Sequence, residues 1–175
     1  MLLDMEKIKE LHIVKYPDRV LRERTHAVEE FDEKLEQLVL KLLEKMRESK
    51  GVGLAANQVG IPLRIFVANT AGEAGKDMVF INGEIIDSEG WTEAEEGCLS
   101  VPQIYTKIRR HQKAVIHAVD IKGIPFELEA TELLARVLQH ETDHLDGKLI
   151  IDRMSLAAKI ANRRQIKYLE DLAKE

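Results

Sequence analysis

The chain has 175 residues, of which 45% are apolar and 33% charged, and its formal net charge is -5. This balance is typical of a globular domain with a hydrophobic core, and it excludes a disordered chain and a general nucleic-acid binder. No apolar run approaches the length of a membrane span, the acidic N-terminus does not resemble a signal peptide, and the single cysteine excludes an internal disulfide, so we expect a cytoplasmic protein.

The first predicted elements are an extended arm and a helix. Residues 1–31 are predicted to lie on the domain as an irregular arm, with a turn at residues 16–18 (YPD). Asp32 can cap the helix that follows, and Gly51 can end it. Apolar residues form one stripe along this helix, at Leu35, Leu38, Val39, Leu42, Leu43 and Met46. The stripe predicts a face that packs into the core.

Short β-strands are predicted in the middle of the chain. The candidates are residues 64–68, 78–81, 91–95, 114–119 and 125–129. The last two flank a DIKG turn and are predicted to form a hairpin.

Two more helices are predicted near the end of the chain. Thr131 can cap the first, which Gly147 closes, and Ser155 can cap the second. Strands grouped between helices indicate an α+β fold with mostly antiparallel pairing, in one domain of residues 1–175.

The helix after Thr131 contains the motif H-E-x-x-H. His140 and His144 are four residues apart, so they share one face of the helix and can bind one metal ion together. Apolar neighbours at helical spacing place part of this helix in the core, where imidazoles need partners. Glu141 lies beside them, where a carboxylate can reach a metal-bound water. The motif predicts a metal site with hydrolytic chemistry.

The motif does not identify the third protein ligand of the metal. Common H-E-x-x-H metallopeptidases take it downstream, where Glu170 lies on a plausible helix. Cys98 lies in a segment bounded by Gly and Pro, which we interpret as a shaped loop, and a thiolate is a strong ligand for zinc or ferrous iron. A closed structural site would need a fourth ligand, for which His111 and His117 are the spare histidines. We expect His111 to be solvated and His117 to be half-buried on a strand.

The glycine-rich segment at residues 51–60 (GVGLAANQVG) is a third unusual feature, after the H-E-x-x-H motif and the segment around Cys98. It matches the loose dinucleotide fingerprint, but a helix precedes it where that motif requires a strand, and it is no Walker loop. Two interpretations stay open. Gly51 and Gly53 leave room for a close approach of the backbone to a ligand, with the Gln58 amide as a donor, or the segment is a helix-ending turn followed by a strand.

Together, three segments resemble the signature motifs of the peptide deformylase family, in the same order and at fitting separations. They are residues 51–58 (GVGLAANQ), 96–100 (EGCLS) and 139–144 (QHETDH). The resemblance implies an α+β domain in which antiparallel strands pack around a central metal-binding helix. It also implies an enzyme that hydrolyses the formyl group from the formyl-methionine of new polypeptides, releasing formate.

The resemblance further implies roles for single residues in catalysis. The metal ligands would be Cys98, His140 and His144, with a water in the open fourth position. Glu141 would be the general base and acid. Gln58 and the backbone N–H of Leu99 would bind the formyl oxygen.

It also implies a substrate pocket. The carbonyl of Gly53 would accept a hydrogen bond from the formyl N–H. The methionine side chain would enter a pocket shaped by Val52, Leu133, Val137 and His140.

The implied cofactor is one Fe2+ per chain, which Zn2+, Ni2+ or Co2+ can replace. The implied partners are formyl-methionyl nascent peptides. The last helix carries four cations, Lys159, Arg163, Arg164 and Lys167. These suit transient association with a phosphate-rich ribosome. The alternative is an ordinary amphipathic helix with solvated charges, in which the inward residues are Leu156, Ile160, Ile166 and Leu169.

Overall fold

The structure is a computed structural model that describes residues 5–174. The protein has an α+β architecture, as predicted. Its helices are α1 (Met5–Lys9), α2 (Glu33–Glu48), α3 (Glu132–Leu145), α4 (Ile150–Arg153) and α5 (Leu156–Leu172). Its strands are β1 (Gly53–Ala55), β2 (Ile65–Ala68), β3 (Met78–Glu89), β4 (Thr92–Cys98), β5 (Val101–Arg110), β6 (Lys113–Val119) and β7 (Pro125–Thr131). Two short 3-10 helices occupy Arg19–Arg22 and Ala56–Val59. The first four residues of the predicted arm lie outside the described residues.

The strands form two antiparallel sheets. Five of them pair in the order β1-β2-β3-β6-β7, while β4 and β5 form a separate two-stranded sheet. Side chains alternate across the larger sheet, so that Ile65 and Val67 of β2 pack in the cluster with α2, while Phe66 and Ala68 pack in the cluster with α3. The two helices therefore cover opposite faces of this sheet.

The predicted helix boundaries agree closely with the structure. The Asp32 side chain accepts a hydrogen bond from the Leu35 N–H at 3.0 Å, and all six residues of the predicted stripe on α2 are buried. Gly147, which follows the C-cap residue Asp146 of α3, has a φ of 71°, and Ser155 caps α5. Thr131 precedes α3, but its side chain makes no capping hydrogen bond.

The segment around Cys98 differs from the prediction. Residues 95–102 do not form a shaped loop, because β4 runs to Cys98 and β5 starts at Val101, which leaves a two-residue turn. Strand β5 was not predicted, because its outward residues are charged or polar, a proline lies near its start and its buried residues alternate regularly only from Ile104 onward. The buried residues of β5 are Val101, Ile104, Thr106, Ile108 and Arg110.

The last helix packs against the core mainly through its C-terminal half, and Ala158 near its start contacts the same cluster. Leu169 is buried and Ile166 packs against the same cluster, whereas Leu156 and Ile160 are 75% and 58% exposed. Their predicted inward orientation is wrong, because α5 contacts β5 with a different face. Among residues 5–174, no helix combines the length and apolar character that crossing a bilayer requires.

Candidate active site

Three potential metal ligands converge where β4 meets α3. Cys98 Sγ, His140 and His144 place their ligand atoms within 4.8 Å of one another. The Nε2 atom of His144 lies 3.3 Å from Cys98 Sγ and 3.3 Å from the Nε2 atom of His140. Two nitrogens that share a tetrahedral metal at about 2.1 Å are separated by about 3.4 Å. The cluster therefore fits a single zinc or ferrous ion.

The alternative ligands lie elsewhere. Glu170 accepts a hydrogen bond from the Tyr16 hydroxyl at 2.7 Å and is not part of the cluster. His111 is partly exposed, and its ring centroid lies 3.7 Å from that of Trp91, away from the cluster. His117 is exposed and not half-buried, because its neighbours on β6 supply the core face. Within residues 5–174 the cluster has three protein ligands, which is the pattern of an open catalytic site.

Glu96 orients the first histidine. Its Oε2 atom lies 2.9 Å from His140 Nδ1, which leaves Nε2 directed at the cluster. Arg110 donates to both carboxylate oxygens of Glu96, at 2.7 and 2.9 Å, and Arg136 donates to one of them at 2.7 Å. Burial alone would raise the pKa of Glu96, but the hydrogen bonds from His140 and Arg110 more than offset it and hold that pKa far below its usual range. Glu96 is therefore a fixed anion beside the cluster.

The same arginine extends the network to α3 and α4. Arg110 donates to Asp143 at 2.8 Å, and Arg153 donates to the same carboxylate at 2.9 Å. Glu96, Arg110 and Asp143 are each less than 10% exposed. Removing one partner of a buried ion pair typically costs about 3–5 kcal/mol, because the other charge stays buried and unpaired. These ion pairs fasten the two-stranded sheet to the helix that carries both histidines.

Glu141 lies next to the cluster in a confined space. It is 4% exposed, and its Oε2 atom has no hydrogen-bond partner among the described residues. Burial raises the pKa of Glu141 to about 7, although a metal cation beside it would lower that value. A Cβ atom on Gly53 would lie 2.5 Å from Oε1 of Glu141 and 2.9 Å from a methyl carbon of Val137. Glycine at position 53 therefore leaves the space that this carboxylate occupies.

Gln58 and Leu99 line the same cavity as Glu141. Gln58 lies in the 3-10 helix after β1, and its Oε1 atom accepts a hydrogen bond from the Ala55 N–H at 2.9 Å. This contact turns the Nε2 group toward Ser100 Oγ at 3.3 Å and Cys98 Sγ at 3.7 Å. Leu99 follows Cys98 in the turn between β4 and β5. The Gly-rich segment is thus a short strand followed by a helical turn.

A cavity of about 600 Å³ opens onto these groups. Val137 is buried at its base, whereas Val52 and Leu133 are 42% and 48% exposed. The predicted site residues in its lining are Val52, Gly53, Gln58, Cys98, Leu99, Leu133, Val137, His140 and Glu141. His144 lies behind this surface and is 1% exposed. Lys15 and Tyr105 also line the cavity.

The fold and the cluster define a class of protein, namely an α+β protein with an open centre of one cysteine and two histidines and a buried carboxylate beside it. The family model described as Polypeptide deformylase matches residues 10–159. The peptide deformylase of Thermodesulfovibrio yellowstonii is 42% identical over 90% of this chain and 96% of its own length. The chain belongs to the polypeptide deformylase family, and its curated relatives are enzymes.

Solved structures of peptide deformylases agree with this assignment. The enzyme from Legionella pneumophila superposes with a TM-score of 0.86 at 40% identity, covering 94% of this chain and 98% of that one. The Plasmodium falciparum enzyme gives a TM-score of 0.90 at 38% identity, covering 93% and 97%.

Proposed function

We propose that residues 1–175 act as one catalytic domain that hydrolyses the formyl group from the N-terminal formyl-methionine of nascent polypeptides. The observation that carries the proposal is the cluster of Cys98, His140 and His144, which opens beside Glu141 into the cavity. A metal held there would polarise the formyl oxygen and lower the pKa of a bound water. The thiolate and imidazole donors suit Fe2+ as the resident ion, and Zn2+, Ni2+ or Co2+ can replace it.

In the proposed mechanism Glu141 moves the proton. Its carboxylate takes a proton from the attacking water and delivers it to the leaving nitrogen. General bases in enzymes typically have pKa values near the working pH. Gln58 and the N–H of Leu99 donate to the formyl oxygen as negative charge develops on it. Losing one such donor typically slows a reaction by about 100- to 1000-fold.

The cavity supplies the proposed substrate contacts. The Gly53 carbonyl accepts a hydrogen bond from the formyl N–H and so orients the amide. The methionine side chain enters the apolar part of the cavity, between Val52, Leu133, Val137 and His140. Mostly apolar linings with a few fixed polar groups are typical of small-ligand sites.

Formate release from a short formyl-methionyl peptide tests the proposal. The protein is loaded anaerobically with Fe2+, and the unformylated peptide is run beside it. We expect formate and an otherwise intact peptide that begins with methionine. Cleavage of the unformylated peptide would instead assign a peptidase, and the absence of any reaction with iron, zinc, nickel or cobalt would overturn the proposed activity.

The substitution Gly53→Ala is expected to lower kcat for formate release by about 100-fold. The added methyl group displaces the Glu141 carboxylate, and a misplacement of about 1 Å at a reacting group has a cost of that order. Gly75→Asn is the control, because that exposed turn has space for a side chain and asparagine accepts its positive φ. A Gly53→Ala protein with wild-type kcat would show that the carboxylate does not need this space.

The cellular compartment of the protein and its association with the ribosome stay predictions. The first is the cytoplasm as its compartment. The second is transient ribosome association through α5, whose N-terminal half exposes Leu156 and Ile160 close to the cations Lys159, Arg163 and Arg164.

A further inference from the structure

The arm before the first 3-10 helix connects the two segments that carry the proposed oxygen-binding groups. The backbone N–H of Val14 donates to the Gln58 carbonyl at 2.8 Å, and the N–H of Tyr16 donates to the Ser100 carbonyl at 2.8 Å. Gln58 belongs to the segment after β1, and Ser100 belongs to the turn between β4 and β5. The arm therefore fixes the distance between two segments that no common sheet joins.

Lys15 lies between Val14 and Tyr16 in the sequence and makes a third contact, through its side chain. Its Nζ atom donates to the Leu99 carbonyl at 2.6 Å, across 84 positions of sequence. Lys15 is exposed, and its side chain lines the cavity beside Cys98 and Leu99. It is the only one of the three arm contacts that uses a side chain, so it is the one that a substitution can remove.

The contact between Lys15 and the Leu99 carbonyl restricts the orientation of the turn between β4 and β5. Each residue has only two soft backbone dihedral angles, so the position of its carbonyl constrains its neighbouring peptide planes. Cys98 is held on one side of Leu99 by pairing with Val101, and Ser100 is held on the other side by Tyr16. With the Leu99 carbonyl bonded as well, the peptide planes on both sides of Leu99 are held, which restricts the rotation of its φ and ψ that would turn its N–H.

We propose that Lys15 is a positioning residue for deformylation, which aims the Leu99 N–H at the formyl oxygen by holding the Leu99 carbonyl. The inference rests on the proposed function. Lys15 contacts no reacting atom and acts through the turn alone. Because a donor to a developing oxyanion acts mainly in the transition state, its misalignment lowers kcat and leaves KM nearly unchanged.

Three variants test the kinetic part of the proposal. Lys15→Met keeps the aliphatic stem and removes the donor, and we expect kcat for formate release to fall about tenfold or more with KM within about twofold. Lys15→Arg retains a charged donor and restores most of kcat. Lys107→Met removes an exposed lysine from the outward face of β5 and serves as the control for loss of charge.

Amide hydrogen exchange supplies a readout that does not depend on activity. In Lys15→Met we expect the Tyr16 amide, which donates to the Ser100 carbonyl of the same turn, to exchange about tenfold faster, while amides in α2 and α3 keep their protection, and Lys15→Arg to reverse this. Unchanged kcat and unchanged exchange in Lys15→Met would overturn the proposal. Faster exchange throughout the chain, with no rescue by arginine, would also overturn it, because Lys15 would then stabilise the fold in general.

The outcomes separate this inference from the proposed function. If the wild-type protein releases no formate, the proposed function fails, and the exchange experiment still tests the contact between Lys15 and Leu99. If the wild-type protein is active and Lys15→Met is equally active, only the role of Lys15 fails.

Discussion

Replacing Glu141 with glutamine is expected to lower kcat for formate release by up to about 10,000-fold while the metal content stays at one ion per chain. Glutamine has nearly the same shape, so it fits the space beside Gly53 and leaves the three ligands in place. It cannot accept a proton from water, and proton transfer by a positioned side chain typically contributes about 100- to 10,000-fold. The measurement combines steady-state kinetics with elemental analysis of the same sample.

Glu132→Gln is the matched control for this variant. Glu132 begins the same helix, is exposed and lies outside the cluster, so we expect wild-type kinetics. If Glu141→Gln keeps more than about a tenth of the wild-type kcat, a different group moves the proton. A Glu141→Gln protein that loses its metal would show that the carboxylate supports the ligands, and its low activity would then come from the missing metal and not from lost proton transfer.

Cys98→Ala is expected to abolish both metal retention and formate release. Two imidazoles remain after the substitution, and they bind a divalent ion much more weakly than a site with three protein ligands. We expect the metal content after gel filtration to fall from one ion per chain to a small fraction of that. Cys98→Ser keeps a weaker oxygen donor and should retain an intermediate amount.

Glu170→Gln separates this result from the metallopeptidase alternative. Glu170 bonds to the Tyr16 hydroxyl, away from the cluster, so we expect this variant to keep its metal and its activity. The opposite pattern, in which Cys98→Ala retains metal and Glu170→Gln loses it, would contradict the assignment of Cys98 as a ligand. Thermal unfolding of both variants shows whether a loss of metal reflects a loss of fold.

The three longer helices, α2, α3 and α5, follow from local patterns in the sequence, whereas the short helices α1 and α4 were not predicted. In α2 the spacing of apolar residues and the capping side chain of Asp32 agree, so its position is predictable to within a few residues. Strand β5 was missed because its outward residues are charged and one of its buried residues is Arg110. A buried arginine is stable only with carboxylates from distant parts of the chain, which no local pattern reveals.

The residues of the candidate site also differ in how far the sequence alone could predict them. His140, Glu141 and His144 follow from helical spacing alone, whereas Cys98 was one of two third ligands until the family resemblance was considered. The contacts of Glu96, which orient His140, were not predicted, although Glu96 lies within one of the three motifs. A usable signal was the position of Arg110, which falls in the buried phase of an alternating segment.

The ion pairs from Glu96 to Arg153 have a consequence for the synthesis of the protein itself. Cys98 and its strand are translated well before His140, His144 and Arg153, so an elongating chain has no complete centre until residues 140–153 have been added. During that interval the thiol of Cys98 has neither a metal nor its final neighbours. A metal bound as proposed would therefore load late in synthesis, and until then the Cys98 thiol lacks the bound metal that would limit its oxidation.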